Sequence, residues 1–408
     1  MDITNLKNNN NSDVTIAVAM SGGVDSSVSA ALLKEQGYNV LGFFMKNWGD
    51  TCGLKSSDCP WKQDRQDAMR VASKLDIPFH TLDFEEEYQK EVLDYFFDEY
   101  KNGRTPNPDI LCNSKIKFGV FLREAINLGA DYIATGHYAR KNFAQNRHSE
   151  LVSESLYNKK KILKQVQDDK KFQLLKGLDS NKDQSYFLYR LNQKQLSRTI
   201  FPIGEFTKPD VRKMAKKFGL QNHDKHDSQG VCFIGKMDLK KFLSQKIKDN
   251  PGDIVDTSGK KIGSHTGLFW YTIGQRRGIE IGGTGPYYVV KKDFKSNKLI
   301  VTNDSKDKGL FSEEVEIRDV NWISGITPSS FAKATADMSN SPLARGEVLE
   351  CRIRYREPLT KCEIIKQENN TYHIKFEKAQ FAVCAGQSVV FYEKQVCLGG
   401  GIINGSAG

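Results

Sequence analysis

The sequence predicts an α/β protein in three parts: an N-terminal doubly wound parallel sheet, a small central domain and a C-terminal antiparallel β-barrel. In the first part, short apolar runs alternate with helical patterns, which is typical of a parallel sheet covered by helices. From about Gly263 onward, short alternating runs recur between Gly and Asn or Asp turns, which favours a small barrel. A length of 408 residues suits two or three domains.

The first part is predicted to alternate strands and helices along the chain. The predicted strands cover residues 15–19, 40–44, 79–82 and 132–136, and the predicted helices cover residues 27–35, 64–75, 88–96 and 115–128. Two further helices are expected over residues 207–219 and 238–248. Because ligands of such sheets bind at the carboxyl ends of the strands, the residues that follow the strands are the first candidates for a site.

Changes in composition and apolar periodicity along the chain suggest the domain boundaries. We expect a disordered, Asn-rich tail over residues 1–12 and a nucleotide-binding catalytic domain over residues 13–220. A central domain is expected over residues 221–283 and a barrel over residues 284–408. Two polar stretches without apolar periodicity, residues 142–169 and 324–345, are predicted to be insertions. Long surface insertions cost little stability if their ends stay close together.

Composition excludes several classes of protein. Only 38% of the residues are hydrophobic, 27% are charged, and no apolar run approaches the length of a membrane span. The N-terminus lacks the apolar core of a signal peptide, so we expect a cytoplasmic, reducing location. The eight cysteines include no Cys-x-x-Cys pair, which argues against a zinc or iron–sulfur framework. Any disulfide is therefore expected to be transient.

Charge is unevenly distributed. Residues 1–140 carry 15 Lys and Arg against 20 Asp and Glu, whereas the rest of the chain carries 45 against 30. A basic C-terminal part beside a mildly acidic N-terminal part favours a large polyanionic partner. The alternative is a lysine-rich surface that only keeps the protein in solution.

One glycine-rich stretch is the strongest functional signal. The run Ala19-Met20-Ser21-Gly22-Gly23-Val24-Asp25-Ser26 follows a β-branched apolar strand and precedes a helical pattern. Backbone N–H groups and the helix dipole converge on an anion in such a turn, and the hydroxyls of Ser21, Ser26 and Ser27 add donors. Asp25 is placed to hold Mg²⁺ beside phosphates. The alternative is a turn that only joins strand to helix.

Two other strand ends are assigned to the same nucleotide site. Met45 and Gly136 lie at the carboxyl ends of the second and last predicted strands, so they are expected near the adenine and ribose. Met45 can equally be a core residue.

The glycine stretch resembles the Ser-Gly-Gly-x-Asp-Ser loop of enzymes that split ATP into AMP and pyrophosphate to adenylate a substrate oxygen. Further motifs follow in order. They are Asn107-Pro108-Asp109 with Leu111-Cys112-Asn113, Gly136-His137-Tyr138, Lys182-Asp183-Gln184-Ser185, Ser228-Gln229-Gly230-Val231-Cys232-Phe233, Thr272-Ile273-Gly274-Gln275-Arg276-Arg277-Gly278 and Arg352-Ile353-Arg354-Tyr355. Together they make nearly the whole chain resemble the tRNA-specific 2-thiouridylase family. The resemblance implies an adenine nucleotide alpha-hydrolase-like fold for the N-terminal domain.

The resemblance also implies a reaction and its partners. With ATP and Mg²⁺, the enzyme adenylates the C2 oxygen of the wobble uridine of tRNA. A cysteine persulfide, loaded by a sulfur-donor protein, then delivers sulfur to C2 and AMP leaves.

The family pattern assigns three catalytic residues. Cys232 matches the persulfide carrier, Cys112 matches its partner thiol, and Asp109 matches a general acid or base beside the target base. The alternative for either thiol is an inert core cysteine. Cys52 and Cys59 are interpreted as bystanders, and Cys351, Cys362, Cys384 and Cys397 as packing residues.

The same pattern assigns the contacts with tRNA. They are Asn107, Pro108, Asp109, His137, Lys182, Asp183, Gln184, Arg354, Tyr355 and Gln387. Tyr355 is suited to stack on a splayed base and Arg354 to hold a phosphate. The alternatives are that residues 352–356 form a barrel strand with a solvated charged face, and that His137 is structural.

Three rival functions remain open. A small-molecule adenylating ligase with the same loop needs neither paired cysteines nor a basic barrel. An RNA-binding protein without catalysis leaves the glycine loop idle. An iron–sulfur thiolating enzyme is disfavoured because the chain has no Cys-x-x-Cys pair.

Overall fold

The computed structural model describes residues 11–47, 49, 61–143, 171–227, 239–244, 246–279, 281, 286–324, 349–366 and 371–406. Several predictions lie outside this range. They concern most of the N-terminal tail and of the two insertions, the cysteines Cys52 and Cys59, and the segment that contains Cys232.

Strands and helices alternate in the N-terminal half, and strands dominate the rest. The strands are β1 Thr15–Ala19, β2 Asn39–Lys46, β3 Phe79–Asp83, β4 Tyr132–Ala134, β5 Ala139–Phe143, β6 Phe172–Lys176, β7 Thr199–Ile200, β8 Gly252–Asp256, β9 Lys261–His265, β10 Tyr288–Asp293, β11 Lys298–Thr302, β12 Phe311–Trp322, β13 Leu349–Arg352, β14 Thr360–Lys366, β15 Tyr372–Phe381, β16 Ser388–Glu393 and β17 Val396–Ser406. The helices are α1 Val24–Glu35, α2 Trp61–Lys74, α3 over 85–101, α4 over 108–127, α5 Gln193–Ser197, α6 Lys208–Lys217 and α7 Leu239–Leu243.

The N-terminal domain is the predicted doubly wound parallel sheet, with strand order β3-β2-β1-β4-β7. Strand β1 is buried on both faces. Ile16 and Val18 pack into the apolar core that includes residues of α1, α2 and α6, whereas Ala17 packs into the core that includes residues of α3 and α4. A strand covered on both sides reads as a continuous apolar run, which is why the sequence made this element easy to predict.

Helix α4 begins earlier than the sequence suggested. The predicted helix over 115–128 starts at Pro108, because the Asn107 side chain accepts a hydrogen bond from the Asp109 amide (3.2 Å) and Pro108 occupies the first turn. Its middle part, Cys112–Val120, is π-helical. The motif around Cys112 therefore lies on a helix and not in a preceding loop.

The central sheet has the order β10-β11-β8-β9 and runs from Gly252 to Thr302. It therefore crosses position 283/284, where the sequence texture suggested a boundary. The alternating runs at 287–290 and 299–301, grouped with the barrel by sequence, pair within this separate sheet.

The C-terminal domain is a closed antiparallel barrel of six strands in the order β12-β15-β14-β13-β16-β17, closed by pairing of β12 with β17. Its interior is apolar, and Trp322 stacks on Phe391 with ring centroids 5.4 Å apart. The predicted strand over 352–356 ends at Arg352, because the chain then turns and Arg356 adopts a left-handed backbone conformation (φ 67°). The alternating charged residues after Arg352 therefore lie in a turn and not in a strand.

The β5–β6 hairpin of the N-terminal half extends the barrel sheet, since β6 pairs with β17. Asn142 and Phe143 belong to β5, so the predicted insertion starts two residues later than proposed. Phe143 pairs with Phe172, which holds the ends of the insertion together and keeps its cost in loop entropy small.

Polar contacts join the domains, among them those of Glu99 and Lys292. Glu99 in α3 is buried and binds Arg104 (Nε to Oε2, 2.8 Å) and Arg318 of β12 (3.1 Å). The Lys292 ammonium donates to the carbonyls of Gly103 (2.6 Å) and Tyr271 (2.9 Å). No helix in the described part of the chain has the length and apolar character needed to cross a membrane.

Candidate active site

The glycine loop, residues 21–26, lies between the carboxyl end of β1 and the first turn of α1. Gly22 adopts φ 74°, and a Cβ there would lie 2.1 Å from the Asp64 carbonyl oxygen. Only glycine fits this close approach. The first amides of α1 have no partner within the helix and, with the helix dipole, make this end attractive to phosphate.

The serine hydroxyls are divided between the mouth of the loop and its interior. Ser21 is exposed and its amide donates to Ser26 Oγ (3.2 Å). Ser27 is fully buried, where its hydroxyl donates to the Gly23 carbonyl (2.8 Å) and accepts from Asn222 Nδ2 (2.9 Å). The expectation that Ser27 is a phosphate donor is therefore wrong, because its hydroxyl is used to hold the loop.

Two residues that the sequence did not indicate hold the backbone of the glycine loop. Asn222 Nδ2 and Lys225 Nζ both donate to the Gly22 carbonyl, at 3.0 and 3.2 Å. Lys225 also binds the carboxylates of Asp64 (2.8 Å) and Asp67 (2.7 Å) of α2. The segment 221–227, assigned by sequence to the central domain, thus packs on the glycine loop. No local motif marks it.

Asp25 lies at the mouth of the loop and is held by two partners. Its Oδ1 accepts from the Tyr138 hydroxyl (2.9 Å) and from Lys208 Nζ (2.7 Å). Lys208 also lies 2.7 Å from Asp227 Oδ1. Burial opposes ionisation of Asp227, but its hydrogen bonds with Lys182 and Lys208 prevail and lower its pKa to about 2.

Gly136 and Met45 border the same edge of the sheet. A Cβ at Gly136 would lie 2.6 Å from the Ser26 amide nitrogen, so a larger residue would fill the space over the loop. Met45, near the end of β2, is half-buried and packs against the core. The predicted residues Ala19, Met20 and Val24 are buried and contribute backbone atoms to the loop rather than exposed side chains.

The groups expected to act on the base lie at the start of α4. Cys112 is buried, and its burial raises the pKa of the thiol. Lys117 opposes that shift, whereas Asp109 adds to it. A π-helical turn bonds residues five apart, so it places Lys117 one turn above Cys112. The sequence did not indicate Lys117, because in an α-helix a residue five positions after Cys112 would lie on a different face of the helix.

His137 is a buried core histidine in this structure. Its Nδ1 shares a hydrogen bond with Thr135 Oγ1 (2.8 Å), and its ring lies against Phe118 and Phe201. Burial, together with the positive charge of Lys117, holds the pKa of His137 well below its usual value. The ring is therefore neutral at pH 7. This environment is typical of a structural histidine, which is the alternative to a contact with tRNA.

Residues 182–184 use their side chains inside the protein. Lys182 pairs with Asp227, and Gln184 Oε1 accepts from the Tyr138 amide (2.9 Å). Asp183 is buried, accepts from the Gly177 and Ser185 amides (3.1 Å each) and lies 3.5 Å from Arg352. This segment thus joins the region of the glycine loop to the barrel.

The barrel residues expected to contact RNA also have internal partners. Arg354 donates to the Ala382 carbonyl and to Cys384 Sγ (3.3 Å). The Tyr355 ring packs 4.5 Å from that of Phe187, and Gln387 Nε2 donates to the Thr105 carbonyl (2.7 Å). Gln387 therefore meets the strand-like segment that leads to Asn107.

The structure gathers many of the predicted residues at two places. One is the loop mouth with Asp25 and Gly136, and the other is the start of α4 with Asp109 and Cys112. Asn113 joins the second place to the 182–188 segment by donating to the Phe187 carbonyl (3.3 Å). Cys232 lies outside the described residues.

The donor set suits a nucleotide better than an independent metal site. In the part of the chain that the structure describes, no group of three or more His, Cys, Asp or Glu side chains could hold a metal ion. Asp25 is the carboxylate at the mouth of the anion-binding loop. That arrangement fits Mg²⁺ shared with phosphate oxygens and water.

Fold and site define an α/β nucleotide-binding protein with two additional β domains, and the comparisons with known proteins agree. Three family models match in chain order: the tRNA methyl transferase HUP domain over residues 14–236, the tRNA methyl transferase PRC-barrel domain over 240–303, and the aminomethyltransferase beta-barrel domain over 312–403. The chain belongs to the tRNA-specific 2-thiouridylase family.

Two relatives show the extent of the similarity. The tRNA-specific 2-thiouridylase MnmA of Hydrogenovibrio crunogenus is 44% identical over 401 residues, covering 97% of this chain and 95% of that protein. The protein of the same name from Nitrosomonas eutropha is 46% identical over 396 residues, covering 96% and 98%. A solved 4-thiouridine synthetase–RNA complex with bound ATP is 15% identical, covers 57% of this chain and 50% of that one, and has a TM-score of 0.33, too low to support an argument.

Proposed function

We propose that this protein catalyses ATP-dependent 2-thiolation of the wobble uridine of tRNA. In the proposed reaction the uracil C2 oxygen attacks the α-phosphorus of ATP and pyrophosphate leaves. Sulfur from a persulfide on Cys232 then bonds to C2, and AMP departs with the oxygen. The glycine loop with Asp25 at its mouth, linked through Tyr138 and residues 184–187 to the helix that carries Asp109 and Cys112, is the observation that carries the proposal.

The chain's own groups supply the proposed phosphate site. The N–H groups of residues 22–26 bind the phosphates, and Lys208 provides positive charge beside Asp25. Mg²⁺, held by Asp25 and phosphate oxygens, would neutralise charge on the phosphates. Gly136 leaves the loop uncovered.

The two thiols have complementary roles in the proposed transfer. The Cys112 thiolate attacks the Cys232 sulfur, the persulfide S–S bond breaks, and its outer sulfur leaves with the electron pair that forms the bond to C2. A Cys112–Cys232 disulfide remains, and an external thiol must reduce it before the next turnover. Asp109 is the proposed acid or base at the uracil ring.

The proposal implies a persulfide-carrying protein as sulfur donor and a reducing, cytoplasmic compartment. Each described cysteine is a free, buried thiol, which suits such a compartment. The basic charge of the C-terminal part favours a polyanionic substrate such as tRNA over a small molecule.

The first half-reaction can be tested alone. The protein is incubated with α-labelled ATP, with and without unmodified tRNA, and AMP is measured together with pyrophosphate. We expect AMP formation that depends on tRNA, reduced at least tenfold in Asp25→Asn and retained in Asp210→Asn, which changes a partly exposed carboxylate on α6. AMP formation that is independent of tRNA would favour the small-molecule ligase.

A further inference from the structure

The motif at residues 272–278 has no role in the reaction described above. It forms a turn that follows the buried residue Tyr271. The turn carries two adjacent arginines, Arg276 and Arg277, and both are exposed. Within the described residues neither guanidinium has a hydrogen-bond or ion-pair partner. Two neighbouring cations repel each other, so an anionic ligand bound between them would be stabilising.

The turn itself is rigidly built. Gln275 Oε1 accepts from the Thr272 amide (3.0 Å), and its Nε2 donates to the Arg277 carbonyl (2.8 Å). The Gly274 amide and the Gln275 carbonyl both bond to Val289 of β10, at 2.8 and 3.1 Å. The two arginines are therefore carried on a fixed backbone, which reduces the entropy lost when they bind a ligand.

Its position relates it to the proposed active site. Thr272 Oγ1 lies 3.3 Å from Thr105 Oγ1, and the Thr105 amide donates to the Ala385 carbonyl (2.8 Å). Thr105 also accepts from Gln387 and lies two residues before Asn107. The turn therefore stands where the central sheet, the barrel and the segment leading to α4 meet.

A second contact fixes the turn against the barrel. A Cβ at Gly274 would lie 2.3 Å from Ala382 Cβ, and Cys384 Sγ lies 3.4 Å from the Ile273 carbonyl oxygen. The barrel, the turn and the Thr105 segment are therefore in direct contact with one another.

We propose that Arg276 and Arg277 bind backbone phosphates of the tRNA strand next to the nucleotide held at Asn107–Asp109. Arginine suits this role because its planar guanidinium can bind a phosphate with two hydrogen bonds. Phosphate contacts fix the register of the strand without reading its sequence. The inference rests on the proposed function and adds to it the element that orients the substrate strand.

The test compares two double variants that remove equal charge. Arg276→Ala/Arg277→Ala changes the turn, and Lys216→Ala/Lys217→Ala removes two exposed cations from the end of α6 in the N-terminal domain. Binding of unmodified tRNA is measured by fluorescence anisotropy at several KCl concentrations. We expect the arginine variant to bind roughly tenfold more weakly or worse at 0.1 M salt, with a slope of log K against log salt shallower by about 1.5.

Further readouts separate this inference from the proposed function. The arginine variant should raise KM for tRNA while kcat at saturating tRNA and ATP binding are retained, and Arg276→Lys/Arg277→Lys should restore part of the salt slope. Thermal melting identifies any folding defect. If wild type binds and thiolates tRNA but the arginine variant behaves like the lysine control, this inference fails alone. If wild type neither binds nor thiolates tRNA, the proposed function fails first.

Discussion

At the residue scale, Lys208 places one buried ammonium between two carboxylates, Asp25 of the glycine loop and Asp227. The sequence predicted Asp25 because it lies within a recognisable turn between strand and helix. It could not predict Lys208, which is 183 residues away and joins the loop only through the packing of α6 on α1. Residues recruited by tertiary packing carry no local signal.

Lys208→Met should weaken ATP binding. The substitution keeps the aliphatic chain but removes the charge, leaving Asp25 less neutralised beside the incoming phosphates. Since hydrogen bonds to charged groups are worth about 1.5–3 kcal/mol, we expect Kd for ATP to rise roughly tenfold to a hundredfold. Isothermal titration calorimetry measures this, with Lys213→Met on the exposed face of α6 as control. Equal affinities for both variants would exclude a role for Lys208 in the phosphate site.

His137 should make stability depend on pH. Its pKa is lower in the folded state than in the unfolded chain, where it is about 6.5. Below that pH the unfolded state binds a proton that the folded state does not. Stability is therefore complete above about pH 6.5 and falls by up to about 1.4 kcal/mol per pH unit below it.

His137→Asn keeps a polar partner for Thr135 but removes this titration. The loss of stability between pH 7.5 and pH 5.5, measured from urea midpoints, should be smaller in His137→Asn than in wild type. The matched control is His80→Asn, which changes an exposed histidine. Parallel curves for all three proteins would show that His137 does not contribute.

At the element scale, helix α4 differs most from its prediction. Sequence spacing located a helix here but assumed α-helical geometry and started it at Lys115. The cap at Asn107 and the π-helical winding over Cys112–Val120 move the start to Pro108 and change which side chains share a face. A change of winding cannot be inferred from the periodicity of nine residues, and π-helical turns are frequent at functional sites.

Lys117→Met should raise the pKa of Cys112 and lower its reactivity. The positive charge of Lys117 favours the thiolate against the desolvation that opposes it. Alkylation of Cys112 by iodoacetamide, followed peptide by peptide by mass spectrometry, should be slower in the variant at pH 8, with its pH profile displaced to higher pH. Lys115→Met serves as control because Lys115 is exposed and pairs with Glu91. A faster reaction in Lys117→Met would contradict this role.

At the scale of the whole molecule, the sequence predicted the parallel sheet, a small central domain and the barrel, but not the sheet of the central domain or the contacts between the parts. The parallel sheet and the antiparallel barrel follow from the two periodicities of apolar residues. The boundary near 283 and the pairing of β6 with β17 could not be predicted, because strand partners far apart in sequence leave no mark on local periodicity. The strands at 288–293 and 298–302 alternate like barrel strands but belong to the central sheet.

Glu99→Gln should weaken the connection between the N-terminal domain and the barrel. Glu99 is 4% exposed and neutralises Arg104 and Arg318, so its removal leaves two arginines facing each other. Breaking a buried ion pair typically costs about 3 kcal/mol or more. Scanning calorimetry should show a lower first transition, with the barrel and N-terminal domain unfolding less cooperatively. Glu314→Gln, exposed on the same β12 strand as Arg318, should leave the trace unchanged. An unchanged trace for Glu99→Gln would show that Glu99 and its two arginines do not contribute to the connection.

The central claim is that two cysteines pass sulfur to a uridine activated by ATP. Nucleoside mass spectrometry tests it most directly, on unmodified tRNA incubated with ATP, a persulfide donor and each of four proteins: wild type, Cys112→Ser, Cys232→Ser and, as control, Cys351→Ala in the barrel core. The account predicts 2-thiouridine with wild type and Cys351→Ala and none with the other two, while Cys232→Ser still releases pyrophosphate. Normal amounts of 2-thiouridine from both Cys112→Ser and Cys232→Ser would contradict it.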